Sequence, residues 1–150
     1  MMAVKPIPDG FHSVTPYLVV EGVASLVDFL KQAFDAKEIE RTMLPDGTVM
    51  HAQVKIGDSF VMMGEARGES TPRPASLYLY VTDTDATYRR ALQAGATSIM
   101  EPADQFYGDR NLGVKDPAGN QWWIATHKED VSSEEIGRRA AAAIKQRGGA

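Results

Sequence analysis

His12, His51 and His127 are the side chains of this chain whose ordinary titration lies near neutrality, so they are the first candidates for acid–base or metal chemistry. Their spacing favours no metal. There is no His-x-His and no His-Glu-x-x-His to place two imidazoles side by side. The chain has no cysteine, which removes thiol catalysis, disulfides, iron–sulfur clusters and cysteine-ligated zinc. His51 stands at the start of a strand and is the best general-base candidate, with the Tyr17 phenol beside it in the acid–base reading; the alternative is a hydrogen-bonded structural histidine. His127 reads as a hydrogen-bonding residue at a strand end. Arg110, in Gly108-Asp109-Arg110, could grip an anion bidentately or pair with Asp109 or Asp116 to fix its loop. Glu65 is either an acid at a pocket mouth or a solvated linker carboxylate. No serine lies in a Gly-x-Ser-x-Gly elbow. Gly64 to Gly68 lacks the Lys-Ser/Thr pair of a phosphate loop, and no glycine-rich fingerprint marks a nucleotide or S-adenosylmethionine site.

The elements that must position these residues come as a repeat. Pro16-Tyr-Leu-Val-Val20 and Leu77-Tyr-Leu-Tyr-Val81 align at an offset of 61, pairing Tyr17 with Tyr78. Each run is strand-like, and each precedes a helical stretch, Ala24–Phe34 or Asp85–Ala94. Thr84 or Asp85 is the expected cap of the second helix, and Gly95 stops it. Three strands follow each helix. They are Lys37–Leu44, Val49–Ile56 and Ser59–Gly64 in the first half, and Thr97–Glu101, Leu112–Lys115 and Gln121–Thr126 in the second. Pro45-Asp-Gly47, Gly57-Asp58 and Asp116-Pro-Ala-Gly-Asn120 are the turns. The class is therefore α+β, one domain of two βαβββ modules: module one about 12–64, a linker at 65–75, module two about 76–127, and a C-terminal helix about 132–147. Ser132-x-x-Glu135 is a capping box for that last helix, which ends near Gly148-Gly149 and shows an apolar stripe of Val131, Ile136 and Ile144 for packing on the domain or a partner. Glu129 and Asp130 are placed to organise its start.

Composition bounds the partners. Apolar residues are 43% and charged residues 24%, enough for a buried core. The net charge of −4 argues against a nucleic-acid partner and suits cationic ligands. No apolar run approaches a membrane span, and Met1 to Pro6 carries no signal-peptide core, so a cytoplasmic location is the default.

Val14-Thr-Pro-Tyr-Leu18, Gly47–Ala52 with His51, Gly108-Asp-Arg110, the turn Asp116–Asn120 and Trp122-Trp-Ile-Ala-Thr-His-Lys-Glu-Asp130 are, in this order, similar to the vicinal oxygen chelate (glyoxalase/bleomycin-resistance/dioxygenase) superfamily, and closest to its PhnB-like branch. The resemblance spans about residues 12–139. It implies a cupped mixed sheet made by both modules around a ligand cavity. In metal-dependent relatives four strand side chains hold one divalent ion. Those places fall here at Thr15, at Val61 or Met62, at Ser76 and at Trp123. None is an imidazole or carboxylate, so no metal and no cofactor is assigned. Strand alternation then sets Tyr17, Tyr78, Tyr80, Gln121 and Ala125 on the cavity side with Thr15, Ser76 and Trp123. Thr15, Tyr17, His51, Met62, Ser76, Tyr78, Tyr80, Arg110, Gln121 and Trp123 are the expected ligand contacts.

The resemblance implies a metal-free protein that binds a small aromatic or cationic molecule, as a homodimer with pockets at or near the interface. The alternatives are a lyase, isomerase or oxygenase-type enzyme acting through His51 and Tyr17, the same with displaced ligands such as His12, His51 and Glu65, or a domain without a pocket.

Overall fold

The computed structural model describes residues 3–148, so the expected helix end at Gly149 lies outside the described residues. The chain runs β1 (Tyr17–Val20), α1 (Val23–Phe34), β2 (Lys37–Met43), β3 (Val49–Ile56), β4 (Ser59–Glu65), β5 (Ser76–Tyr80), α2 (Thr84–Gln93), β6 (Thr97–Asp104), β7 (Asp109–Lys115), β8 (Gln121–His127) and α3 (Ser133–Gly148). This is βαβββ twice plus a terminal helix, as the repeat predicts. The strands form two four-stranded mixed sheets, ordered β1-β4-β3-β2 and β5-β8-β7-β6. In each, the first strand pairs in parallel with the last, and the others are antiparallel.

The repeat extends to register. Tyr17 sits opposite Met62 and Tyr78 opposite Trp123. His51 sits opposite Gly64, and Asn111 opposite Ala125. Tyr17 thus matches Tyr78, Met62 matches Trp123, and His51 matches Asn111.

One face of each sheet is apolar because successive strand residues point to opposite sides. Leu18, Val20, Ala52, Val54, Val61 and Met63 on sheet one, and Leu112, Val114, Trp122 and Ile124 on sheet two, are buried. They belong to one continuous core with α1. Helices α1 and α2 pack on their own sheets and on each other. One broad face of α1 is therefore buried, with Val23, Leu26, Val27, Phe29, Leu30, Ala33 and Phe34 covered, while Ser25, Asp28, Lys31 and Gln32 face solvent. Phe34 reaches module two, with its ring 4.9 Å from that of Trp122. Both sheets therefore turn their apolar faces towards the helices and leave the opposite faces open.

The Asp116–Asn120 turn is a closed polar knot. Asp116 accepts from the backbone N–H of Ala118 and Asn120, from Asn120 Nδ2 and, at 2.8 Å, from Trp122 Nε1. Asn120 Oδ1 accepts from the Ala75 N–H, tying this turn to the start of β5. Every buried polar group here has a partner, as stability requires.

Four local expectations need correction. Thr15 precedes β1 rather than lying in it. The cap of α2 is Asp83, whose carboxylate accepts from the Ala86 N–H at 3.1 Å; it stands in extended backbone one residue before Thr84, where its carboxylate reaches the free N–H groups of the first turn. Strand β7 begins at Asp109, not Leu112, because the backbone of Asp109 and Arg110 pairs with β8. In α3, capped by Ser132, Ile144 is 69% exposed, so the expected stripe is only half used. Arg139 holds that helix to the body through the Phe106 carbonyl and Glu129. Among the described residues, no helix is long and apolar enough to cross a membrane.

Candidate functional site

The open face of sheet one is built by Tyr17 on β1, Met62 on β4, and His51 and Gln53 on β3, which the register sets side by side. Val61, the alternative to Met62, is buried on the helix side. The Tyr17 ring lies across Gly64, where any Cβ would collide with its hydroxyl. Its centre is 5.7 Å from that of His51, tilted by 38°. Further along, Phe60 is stacked at 4.1 Å under Phe11 of the N-terminal segment, and Lys55 Nζ lies 5.6 Å from the Phe60 ring.

Sheet two carries Ser76, Tyr78 and Tyr80 on β5, with Gln121 and Trp123 on β8, on its open face. The Trp123 ring lies across Gly113, as Tyr17 lies across Gly64, and its Nε1 donates to Ser76 Oγ at 3.2 Å. Beyond it lies a polar network centred on Asp109. Tyr78 and Tyr80 both donate to Asp109 Oδ2, at 2.7 and 3.1 Å. His127 Nδ1 donates to Asp109 Oδ1 at 2.8 Å, and its Nε2 lies 2.7 Å from Asp130. Asn111 Nδ2 donates to the hydroxyls of Tyr78 and Tyr107, at 3.1 and 2.6 Å. Asn111 is buried, yet its Oδ1 has no hydrogen-bond partner.

The electrostatics follow from these bonds. Burial pushes Asp109 up, but the hydrogen bonds from His127, Tyr78 and Tyr80 outweigh it and hold the carboxyl below its ordinary range. Burial, reinforced by the Asp109 charge, raises Tyr78 and Tyr80, so both phenols keep their protons and act as donors. The bonds to Asp109 and then Asp130 raise His127, favouring its imidazolium.

The structure brings together Tyr17, His51 and Met62 on one sheet, and Ser76, Tyr78, Tyr80, Gln121 and Trp123 on the other. It does not bring Arg110 to either face. Arg110 lies on the helix side of β7, with Nε and Nη2 on the Asp85 carboxylate at 2.9 and 3.0 Å and Nη1 on Asp104. Its partners are thus neither Asp109 nor Asp116, because alternation turns it away from Asp109. Glu65 is neither a free mouth acid nor a solvated linker group. Its two oxygens accept from the N–H groups of Gly22 and Val23 at 2.9 and 3.0 Å, capping the N-terminus of α1 from outside the helix. His12 is exposed. Ala125 shares the open face in register but is fully buried beneath its neighbours. The sequence reading does not reach the network of Asp109, Asn111 and Tyr107; the alternation Asp109, Asn111, Gly113 along β7 is the signal that marks it.

The four places that hold the divalent ion in metal-dependent relatives are a threonine outside the strand, a thioether, a serine and an indole. These donors do not fit such an ion. Among the described residues, no three His, Asp or Glu side chains stand together so as to hold one elsewhere.

A family model, Glyoxalase/Bleomycin resistance protein/Dioxygenase superfamily, matches residues 10–124. An uncharacterised protein of Mycobacterium bovis is 39% identical over 135 residues, which cover 83% of this chain and 89% of that one. A gene product of Arabidopsis thaliana superimposes with a TM-score of 0.64 at 26% identity, over 77% of this chain and 98% of that one. The PhnB protein of Bacillus cereus does so with a TM-score of 0.60 at 19% identity, over 77% and 99%. With its paired βαβββ modules and the family match over most of its length, this chain belongs to the glyoxalase/bleomycin resistance/dioxygenase superfamily.

Proposed function

We propose that this chain is a small-molecule-binding member of the superfamily, of the PhnB-like branch, that holds an aromatic or cationic ligand between two open sheet faces. One observation carries this reading. Tyr17, Tyr78 and Tyr80, at 54%, 45% and 60% exposure, stand on sheet faces that their own chain leaves uncovered. Tyr78 and Tyr80, with ring centres 5.3 Å apart, form an exposed aromatic patch, and such a patch marks a surface made to be covered. Within one chain the two open faces point away from each other, since both sheets back onto the helices. A cup therefore needs a second copy, with sheet one of one chain facing sheet two of the other. A two-fold dimer of this kind makes two such cups. A cytoplasmic protein without nucleic-acid or membrane partners fits the acidic charge and the absence of cysteine.

Two measurements test the proposal. Sedimentation at micromolar concentration is expected to give a dimer; a monomer at all concentrations removes the two-chain cup. A thermal-shift screen of aromatic amines, aromatic acids and uncharged aromatics is expected to yield saturable stabilisation that Tyr78→Ala weakens.

The enzymatic reading rests on the 5.7 Å approach of Tyr17 and His51. It requires turnover of a bound compound that is lost in His51→Ala with folding intact. Elemental analysis after incubation with divalent salts and dialysis tests its metal-dependent form: one retained ion per chain revives a displaced-ligand site around His51, without Glu65, whose oxygens cap α1.

A further inference from the structure

We infer that the open face of sheet two is an organic-ammonium site, an aromatic cage of Tyr78, Tyr80 and Trp123 set over the Asp109 carboxylate; this rests on the proposed ligand cup and names what its second wall selects. The rings come from the register. Tyr78 and Trp123 are direct neighbours on β5 and β8, and Tyr80 follows two residues along the same face. The Tyr78 and Tyr80 rings stand 5.3 Å apart at 58°, an angled pair rather than a closed stack. Aromatic faces carry negative potential, and a cation within about 6 Å of a ring centre is attracted to it. Both phenols donate to a carboxylate, which pushes electron density back into the rings and strengthens that potential.

The carboxylate gives the cage its sign. Asp109 is 5% exposed, and hydrogen bonds from both cage tyrosines and His127 keep it ionised. The longer bond is that of Tyr80, the more exposed ring, so Tyr80 is the wall that can move to admit a ligand. Beside it, Asn111 is 3% exposed and its Oδ1 faces no donor. A buried acceptor without a donor is costly, and an ammonium N–H that reached it would relieve that cost. An anion would meet the opposite arrangement. Its one cationic neighbour on this part of the face would be His127, already bridged between Asp109 and Asp130, while Arg110 is committed to Asp85 and Asp104 on the other side of β7. The one lysine of β7, Lys115, lies at the far end of the strand, opposite Gln121. Sheet one has no comparable cage, and Lys55 already occupies the Phe60 ring.

The test uses the full chain and four probes, benzyltrimethylammonium, 2-phenylethylammonium, benzyl alcohol and benzoate, titrated while the two indole N–H signals are followed by NMR. Trp123 is in the cage and Trp122 is in the core, so the two signals report the site and a control. Both ammonium probes are expected to bind about tenfold more tightly than benzyl alcohol, to move the Trp123 signal and to leave Trp122 in place. Tyr80→Leu is expected to weaken the ammonium probes about fivefold, Tyr80→Phe less, since the ring remains. Asp109→Asn is expected to bring the ammonium-to-alcohol ratio towards one. Tyr80 is an exposed side chain, so its variants keep the test valid if Asp109→Asn does not fold. Equal binding of benzyl alcohol, benzoate and the ammonium probes overturns the ammonium site and leaves the cup standing. Ammonium binding that spares the Trp123 signal, or survives Tyr80→Leu unchanged, places the cation elsewhere and also overturns it. No binding by any of the four overturns the cup and the cage together.

Discussion

In sheet one the slot opposite Gly64 holds His51; in sheet two the matching slot, opposite Ala125, holds Asn111. Each slot faces a tyrosine of the first strand of its module. Yet Tyr17 and His51 only approach through their rings, whereas Tyr78 and Asn111 are joined by a hydrogen bond and extended by Asp109, Tyr80, Tyr107 and His127. One register thus carries two surfaces: a sparse, adaptable wall and a cross-linked polar one. The duplicated backbone decides where side chains stand. Which of them bond to one another depends on a few identities, above all aspartate at 109.

The largest effect tests whether the two modules are one folding unit. Trp122→Ala removes the ring that meets Phe34 of module one and the donor to Asp116. It is expected to cost about 3–5 kcal/mol in chemical denaturation and to lower both modules in one transition. Two separate transitions would break the comparison, since the modules would then be independent bodies.

Asp109→Ala strips three donors of their acceptor. A loss of about 2–3 kcal/mol is expected, against under about 0.5 kcal/mol for His51→Ala, because a half-buried histidine with no hydrogen-bond network leaves little unsatisfied. Equal losses would mean that the two walls are not built differently.

Glu65→Ala removes the cap of α1, at an expected cost of about 1 kcal/mol by thermal or urea unfolding. The matching loss in module two, Asp83→Ala, is of the same order, so here the modules should agree although one cap is remote and the other local.

The smallest effect is one of pH. His127 is raised above its ordinary 6.5 in the folded chain by Asp109 and Asp130. The stability it contributes is therefore complete below about pH 6.5 and is lost as pH rises through the raised value. The melting temperature of wild type relative to His127→Asn is expected to fall between pH 6 and pH 9; an unchanged difference would show that the imidazolium adds nothing. Asp109 has the opposite sign, being held low, so its contribution is lost only on acidification through that lowered value.

Much of the fold was legible because strands and turns are local. The offset of 61 between Tyr17 and Tyr78, the turns Gly57-Asp58 and Asp116–Asn120, and the apolar periodicity of α1 gave the element order with small errors at the ends. Errors gathered where a side chain acts across the chain. Glu65 reads as a linker carboxylate until α1 is seen to start beside it. Arg110 reads as an anion grip until β7 is extended by three residues, which turns it to the helix side. Asp109 reads as no more than a loop partner for Arg110 for the same reason, since a residue in a loop has no face.

By itself the sequence determined two βαβββ modules and an acidic, cysteine-free chain. These rest on residue identity and on periods of two and 3.6, which need no knowledge of partners. Only the tertiary structure decided that both sheets turn their apolar faces onto a shared helical layer and that their aromatic faces are left open. Only it decided that Asp109 gathers Tyr78, Tyr80 and His127 from strands that are 18 to 31 residues away in sequence. Hydrogen bonds of that reach depend on strand order and register, and these are set by the packing of the whole chain.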